Sequence, residues 1–352
     1  MTITSSETGS PRTAESVRSW RRARSRRERS VGATLILLSL LLVCLASVRG
    51  SYDLNVAEVA LGAVGIGDPM TVYVVQQLRL PRSAVAFGVG MAFGVSGAVF
   101  QSLARNALAS PDIIGISTGA SFGAVLVIAT IGSSAVLVPA AAFGGALVTA
   151  AFVTAFSLRS SVSPMRLILV GIGLQATLGA VIGVVLARLD PGRIEQSLRW
   201  LSGSISGRGW LHVAGIAGLL LLLAVPLHVG TRPLGVLQLG DQVARSAGVG
   251  TRSWQITLIV LACVLCAGGV SVAGPVLLIA FLGPPIARRL IGSPGPALAM
   301  SGIVSGTVMV ASDLIAREGI GHLSLPVGIV TGLLGAPVLL WVLLRGKGVG
   351  HG

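Results

Sequence analysis

A chain of 352 residues with 53% hydrophobic residues, 11% charged residues and a mean hydropathy of +0.88 is too poor in charge for a soluble domain, where about a quarter of residues are charged. It reads as a polytopic membrane protein. The formal net charge of +14 does not point to nucleic acid, because the apolar blocks hold almost no basic residues and 2 Tyr with 8 Phe offer few rings on which bases could stack.

In chain order, residues 1–30 are polar and carry eight arginines, with Arg21, Arg22, Arg24, Arg26, Arg27 and Arg29 clustered. That composition predicts a basic, disordered cytoplasmic tail. Ser25-Arg26-Arg27 has a faint twin-arginine character, but the many later apolar runs favour a retained first helix over a cleaved signal. Residues 31–345 form the membrane domain, and 346–352 a short C-terminal tail. The rule of about 20 apolar residues per span, with shorter helices allowed where they are buried, predicts ten helices. They lie near 32–49, 83–103, 113–131, 135–158, 166–188, 210–228, 254–272, 275–290, 296–315 and 326–344. The fold class is therefore all-α, with about ten transmembrane helices and both termini on one side. With the N-terminus inside, 18 of the 26 Lys and Arg residues fall on the cytoplasmic side, as the positive-inside rule requires. The outward exceptions are Arg49, Arg79, Arg82, Arg188, Arg193, Arg199, Arg208 and Arg317.

The chain holds 48 glycines. In lipid, small residues four apart let helix backbones approach closely. Gly90/Gly94, Gly115/Gly119/Gly123, Gly179/Gly183, Gly302/Gly306 and Gly328/Gly332 have that spacing and predict a tightly packed bundle. Cys44, Cys263 and Cys266 all lie in apolar runs. The C-x-x-C of the last two has no second pair and no nearby His, so packing is expected rather than a metal or redox site. Lys347 is the only lysine, and no G-x-x-x-x-G-K-[ST] is present; the chain binds no ATP through a P-loop, and ATP-driven work requires another subunit.

Between two strongly apolar blocks lies a polar island, Leu237–Gly250 (LQLGDQVARSAGVG). Asp241 can cap a helix and Gly248 can end one in the left-handed conformation, which leaves about two turns. Leu239, Val243 and Ala247 share one face, with Asp241, Gln242, Arg245 and Ser246 away from it. The topology puts this amphipathic peg in the cytoplasm, where it suits a partner protein or the lipid surface. Asp313, near the outer end of a span, would be costly unpaired and is expected to pair with Arg317 at i, i+4. A weak internal echo links Pro164 and VGIGLQATLGAV (170–181) with Pro326 and VGIVTGLLGAPV (327–338), in helices that run oppositely, as an inverted repeat would give; a chance match between Gly- and Leu-rich helices accounts for it equally well. A secondary transporter would need intramembrane acids or His, of which Asp313 is nearly the sole example.

Three segments taken together, LRLPRSAVAFGVGMAFGVSGAVFQSLARNALASPDIIGISTGASFGA (78–124), the island, and AGPVLLIAFLGPPIARRLIG (273–292) followed by LPVGIVTGLLGAP (325–337), resemble the FecCD family of ABC-importer permeases. The likeness runs from about Val31 to Arg345. It implies an inner-membrane permease, itself without a cofactor, that passes a ferric siderophore complex, with haem or cobalamin as alternative cargo. It also implies two cytoplasmic ATPases that bind ATP and Mg, a substrate-binding protein on the outer face, and a second permease, identical or related. By the same resemblance residues 238–249 would be the coupling helix, with Gly240, Asp241, Ala244, Arg245 and Gly248 as its characteristic positions. Arg79, Arg82 and Arg317 would meet acidic residues of the binding protein, a role that suits guanidinium chemistry; snorkelling is the competing reading, and the favoured one for Arg193 and Arg199. Ala107, Pro285 and Ser324 depart from the family's usual Pro, His and Glu. Ser163 and Pro164, at the cytoplasmic entry of the 166–188 helix, are candidates for an inner gate by position.

Overall fold

The computed structural model describes residues 11–49, 52, 54–157, 164–293, 295–319 and 325–345. All regular structure among them is helical. The first helix, α1 (Pro11–Val48), begins within the basic 1–30 segment. Arg, Ala and Glu are good helix formers, and the apolar helix that follows supplies the costly nucleus, so residues 11–30 continue it. Two short helices then follow that apolar periodicity did not reveal. In α2 (Val56–Ala63), Asn55 and Glu58 form a capping box with both bonds at 2.8 Å. In α3 (Pro69–Tyr73), the Asp68 carboxylate accepts from the backbone N–H groups of Met70 and Thr71, and Pro69 occupies the first turn, where its missing N–H costs nothing.

A π-helical turn, Val74–Arg79, joins α3 without a break to α4 (Leu80–Ala104). The helical run Pro69–Ala104 is 36 residues long and starts well before the predicted span. After Arg105 the chain turns through a 3-10 segment, Pro111–Ile114, into α5 (Ile116–Thr130), then α6 (Leu137–Ser157), α7 (Pro164–Leu186) and the amphipathic α8 (Pro191–Leu201). The second half holds α9 (Trp210–Leu237), the short α10 (Asp241–Ser246), α11 (Thr251–Ala273), α12 (Ile279–Ile291), α13 (Leu298–Glu318) and α14 (Val327–Arg345). Each of the ten predicted stretches coincides with a helix. Among the described residues, seven helices are long and apolar enough to cross a membrane, while Ile116–Thr130 and Val327–Val338 are shorter apolar helices and α12 has 13 residues.

Helix α4 is the axis of the fold, packed against α9, α11, α12 and α13. Glycine makes the approach possible: a Cβ on Gly94 would lie 2.4 Å from the Ser301 carbonyl oxygen, and one on Gly97 would lie 1.8 Å from that of Ala280. The largest buried core residues along this axis include Phe93, Leu258, Leu265, Ile279 and Met309. Cys263 and Cys266 are buried in the same core as free thiols, and among the described residues no cluster of His, Cys, Asp or Glu could hold a metal ion.

Candidate functional site

The polar island folds into α10. Its N-cap is Gly240, at φ 115, rather than Asp241, which becomes the first helical residue and makes no capping bond. The Asp241 carboxylate is engaged elsewhere. It accepts from Arg105 Nη2 at 2.8 Å and from Gln255 Nε2 at 3.4 Å. At the other end the sequence expectation agrees with the geometry: Gly248 adopts φ 76, its N–H donates to the Arg245 carbonyl, and Val249 N–H donates to the Ala244 carbonyl at 2.9 Å. This is a Schellman ending, which satisfies the last carbonyls of the helix.

Only Ala244 of α10 is fully buried, where the peg meets α9 and α11. The apolar stripe points outward instead, with Leu239 69% and Val243 47% exposed. Arg245 is also exposed, and its Nε donates to the Asp241 carbonyl. A short, capped helix with an uncovered apolar stripe and an adjacent guanidinium has the chemistry of a protein-docking peg.

At the opposite end of α4, Asp313 of α13 is 1% exposed and accepts from two arginines. Arg82 reaches one carboxylate oxygen through Nε at 3.1 Å and Nη2 at 2.8 Å, and Arg317 reaches the other through Nε at 2.8 Å and Nη2 at 2.6 Å. The i, i+4 pair expected from sequence is formed; Arg82, 231 positions away, was not foreseen as its partner. Arg317 also donates to the Ala46 carbonyl at 3.1 Å and to Ser83 Oγ at 3.2 Å. Arg79 is 8% exposed and donates to the carbonyls of Ser47, Val48 and Tyr52. Arg79 and Arg317 thus finish the C-terminus of α1, where orphan carbonyls and the negative end of the helix dipole favour cations. Of the three arginines expected to dock a partner, Arg82 offers the most surface, with 24% of its side chain exposed.

The remaining sequence candidates are dispersed. Ser163 lies outside the described residues, as does Ser324, and Pro164 opens α7. Arg193 caps the end of α5 through the Ala129 carbonyl, and Arg199 pairs with Glu195 on exposed surface. In the loop before α9, burial pushes the Arg208 guanidinium below its ordinary pKa.

This arrangement of helices is that of an ABC-transporter permease. A solved inward-facing structure described as of metal-chelate ABC transporter type superposes with a TM-score of 0.80 at 28% identity, covering 91% of this chain and 99% of the other. Residues 36–345 match the FecCD transport family, and the chain belongs to that family. It is 33% identical over 323 residues to the ferric enterobactin transport system permease protein FepG of Escherichia coli (strain K12), covering 90% of this chain and 98% of that one. It is 32% identical over 324 residues to the iron(3+)-citrate import system permease protein YfmE of Bacillus subtilis (strain 168), covering 91% and 97%.

Proposed function

We propose that the chain is the membrane-spanning permease of an inner-membrane ABC importer whose cargo is a ferric siderophore complex. The observation that carries this reading is α10, a capped peg between two long helices in a chain of the FecCD family. It performs no covalent chemistry. Partner ATPases supply the energy, and closure of their dimer around a rigid peg would move the helices attached to it. Arg245 and Val243 of α10, with Leu239 just before it, are the groups presented to them.

On the outer side, Arg82, with 24% of its side chain exposed beside the buried Asp313, is the guanidinium offered to acidic residues of a binding protein, while Arg79 and Arg317 hold helix ends. Ten spans with both termini cytoplasmic put the two faces on opposite sides of the membrane. Cargo would pass between this chain and a second permease, along α7 and α14. Pro164, which opens α7, belongs to the inner end of that path.

The test is uptake of radiolabelled ferric enterobactin, ferric citrate and haemin by cells carrying the wild-type chain or the Asp241→Lys, Arg245→Glu double variant. The expected result is ATP-dependent uptake of a ferric siderophore that the double variant loses while remaining in the membrane without its ATPase. Uptake of haemin alone would replace the cargo assignment. Uptake unchanged by the substitutions, or surviving ATP depletion while an ion gradient persists, would overturn the importer reading.

A further inference from the structure

The coupling peg is not held by its own short helix, which is below the length that is stable alone. Besides its packing on α9 and α11, it is fastened by a side chain from a distant part of the chain, Arg105. Arg105 follows the last turn of α4 in the left-handed conformation, at φ 51, where a non-glycine residue is uncommon. From there its guanidinium spans the junction: Nη2 donates to Asp241 at 2.8 Å, Nε donates to the carbonyl of Leu237, the last residue of α9, at 3.3 Å, and a Cβ on Gly240 would lie 3.9 Å from Nη1. Gln255, in the first turns of α11, meets the same Asp241 oxygen. One arginine therefore gathers the end of α9, the start of α10 and, through Asp241, the start of α11.

The helix that carries Arg105 is the most deeply buried of the long apolar helices, with 83% of its apolar window inside the bundle. Its glycines lock its backbone against α12 and α13. Just inside the same end, Gln101 donates to the Phe281 carbonyl at 3.1 Å and accepts from Arg288 at 2.6 Å, which ties α4 to α12 as well. At its other end, about 35 Å away at 1.5 Å per residue, Arg82 meets Asp313 and Arg317.

We infer that Arg105 is a positioning residue that latches the coupling peg to α4, so that displacement of α10 by the ATPases moves α4 as a rod and reaches the Arg82–Asp313–Arg317 cluster on the outer face. The Arg105–Asp241 pair is about half exposed on both sides, at 46% and 45%. It adds little to the stability of the fold, as exposed pairs do, and serves to align the peg. The latch rests on the reading of α10 as the coupling element, and linkage makes it reciprocal: binding-protein docking at the outer cluster bears on the ATPases through the same helix.

Two measurements test it. In the chain alone in lipid nanodiscs, nitroxide labels on Val243→Cys and Ala107→Cys report the distance between the peg and the turn after α4. Arg105→Ala is expected to broaden that distribution, and a distribution as narrow as that of the Arg105 chain would overturn the latch. In the assembly purified with its ATPase, the readout is the ratio of ATP hydrolysis with and without the substrate-binding protein. Arg105→Ala should lower this ratio at least about fivefold, the lower range of allosteric coupling, with the ATPase still copurifying. Arg105→Lys, which keeps a cation facing Asp241, should restore most of it. Retained stimulation in Arg105→Ala, loss of the ATPase from that variant, or a Lys variant no better than Ala would each overturn transmission through Arg105. A wild-type chain that captures no ATPase would instead overturn the importer reading, and the nanodisc distances still decide the latch.

Discussion

Helices α4 and α7 are both apolar and rich in glycine, yet 83% of the apolar window of one is buried and only 11% of the other. On α4 the glycines are close-approach sites: a Cβ on Gly90, Gly94 or Gly97 would strike a backbone carbonyl of α12 or α13. On α7, a Cβ on Gly173, Gly179 or Gly183 would meet nothing within 4 Å. The same residue therefore does two different jobs. In α4 it lets backbones touch and makes a rigid axis. In α7 it leaves a smooth, uncovered surface, which suits the face that the proposed function gives to a second permease and to passing cargo.

The contrast is sharpest where α4 is fastened. Asp313→Ala would leave Arg82 and Arg317 facing each other without a counter-ion. Breaking a buried pair in this way costs about 3–5 kcal/mol, so the largest loss of folded protein after heating in detergent is expected there. Next comes Gly97→Ala. Its new methyl group would need the Ala280 carbonyl to move, and overpacking of this kind costs about 3 kcal/mol, read as a lowered midpoint in the same melt. On α7 the sign reverses. Gly183→Ala replaces a poor helix former at an open position and should raise the stability of the isolated chain by up to about 1 kcal/mol; a loss as large as that of Gly97→Ala would show that α7 is packed and end the comparison. Smallest of all is Arg199→Gln, which removes an exposed pair with Glu195 and should shift stability by less than about 0.5 kcal/mol.

These contrasts also show where sequence reading stops. The ten apolar stretches and the left-handed end at Gly248 were legible, because length, hydropathy and glycine chemistry are local. The glycine spacing of Gly90/Gly94 and Gly179/Gly183 is the same, and it could not say which pair is covered. Lipid and bundle interior are both apolar, so the amphipathic signal that orients a helix in water is nearly absent. Asp241 looked like a cap, since nothing nearby in sequence competes for its carboxylate; Arg105, 136 positions earlier, does. Arg82 and Arg317 read as outward charges, but they share the buried Asp313, a partnership that only the tertiary fold assembles. The short helices α2, α3 and α8 escaped notice because caps and proline, rather than long apolar runs, define them.

The end of α1 has a consequence for how the protein is made. The first helix enters the membrane early in synthesis, but the Ala46 carbonyl is met by Arg317, which the ribosome adds 271 residues later. Arg79 reaches the carbonyls of Ser47 and Val48 soon after α1 is made, but until α13 arrives the Ala46 carbonyl must take its hydrogen bond from headgroups or water. The chain can be threaded into the bilayer in order, yet a nascent protein stalled before α13 would display an unfinished end of α1.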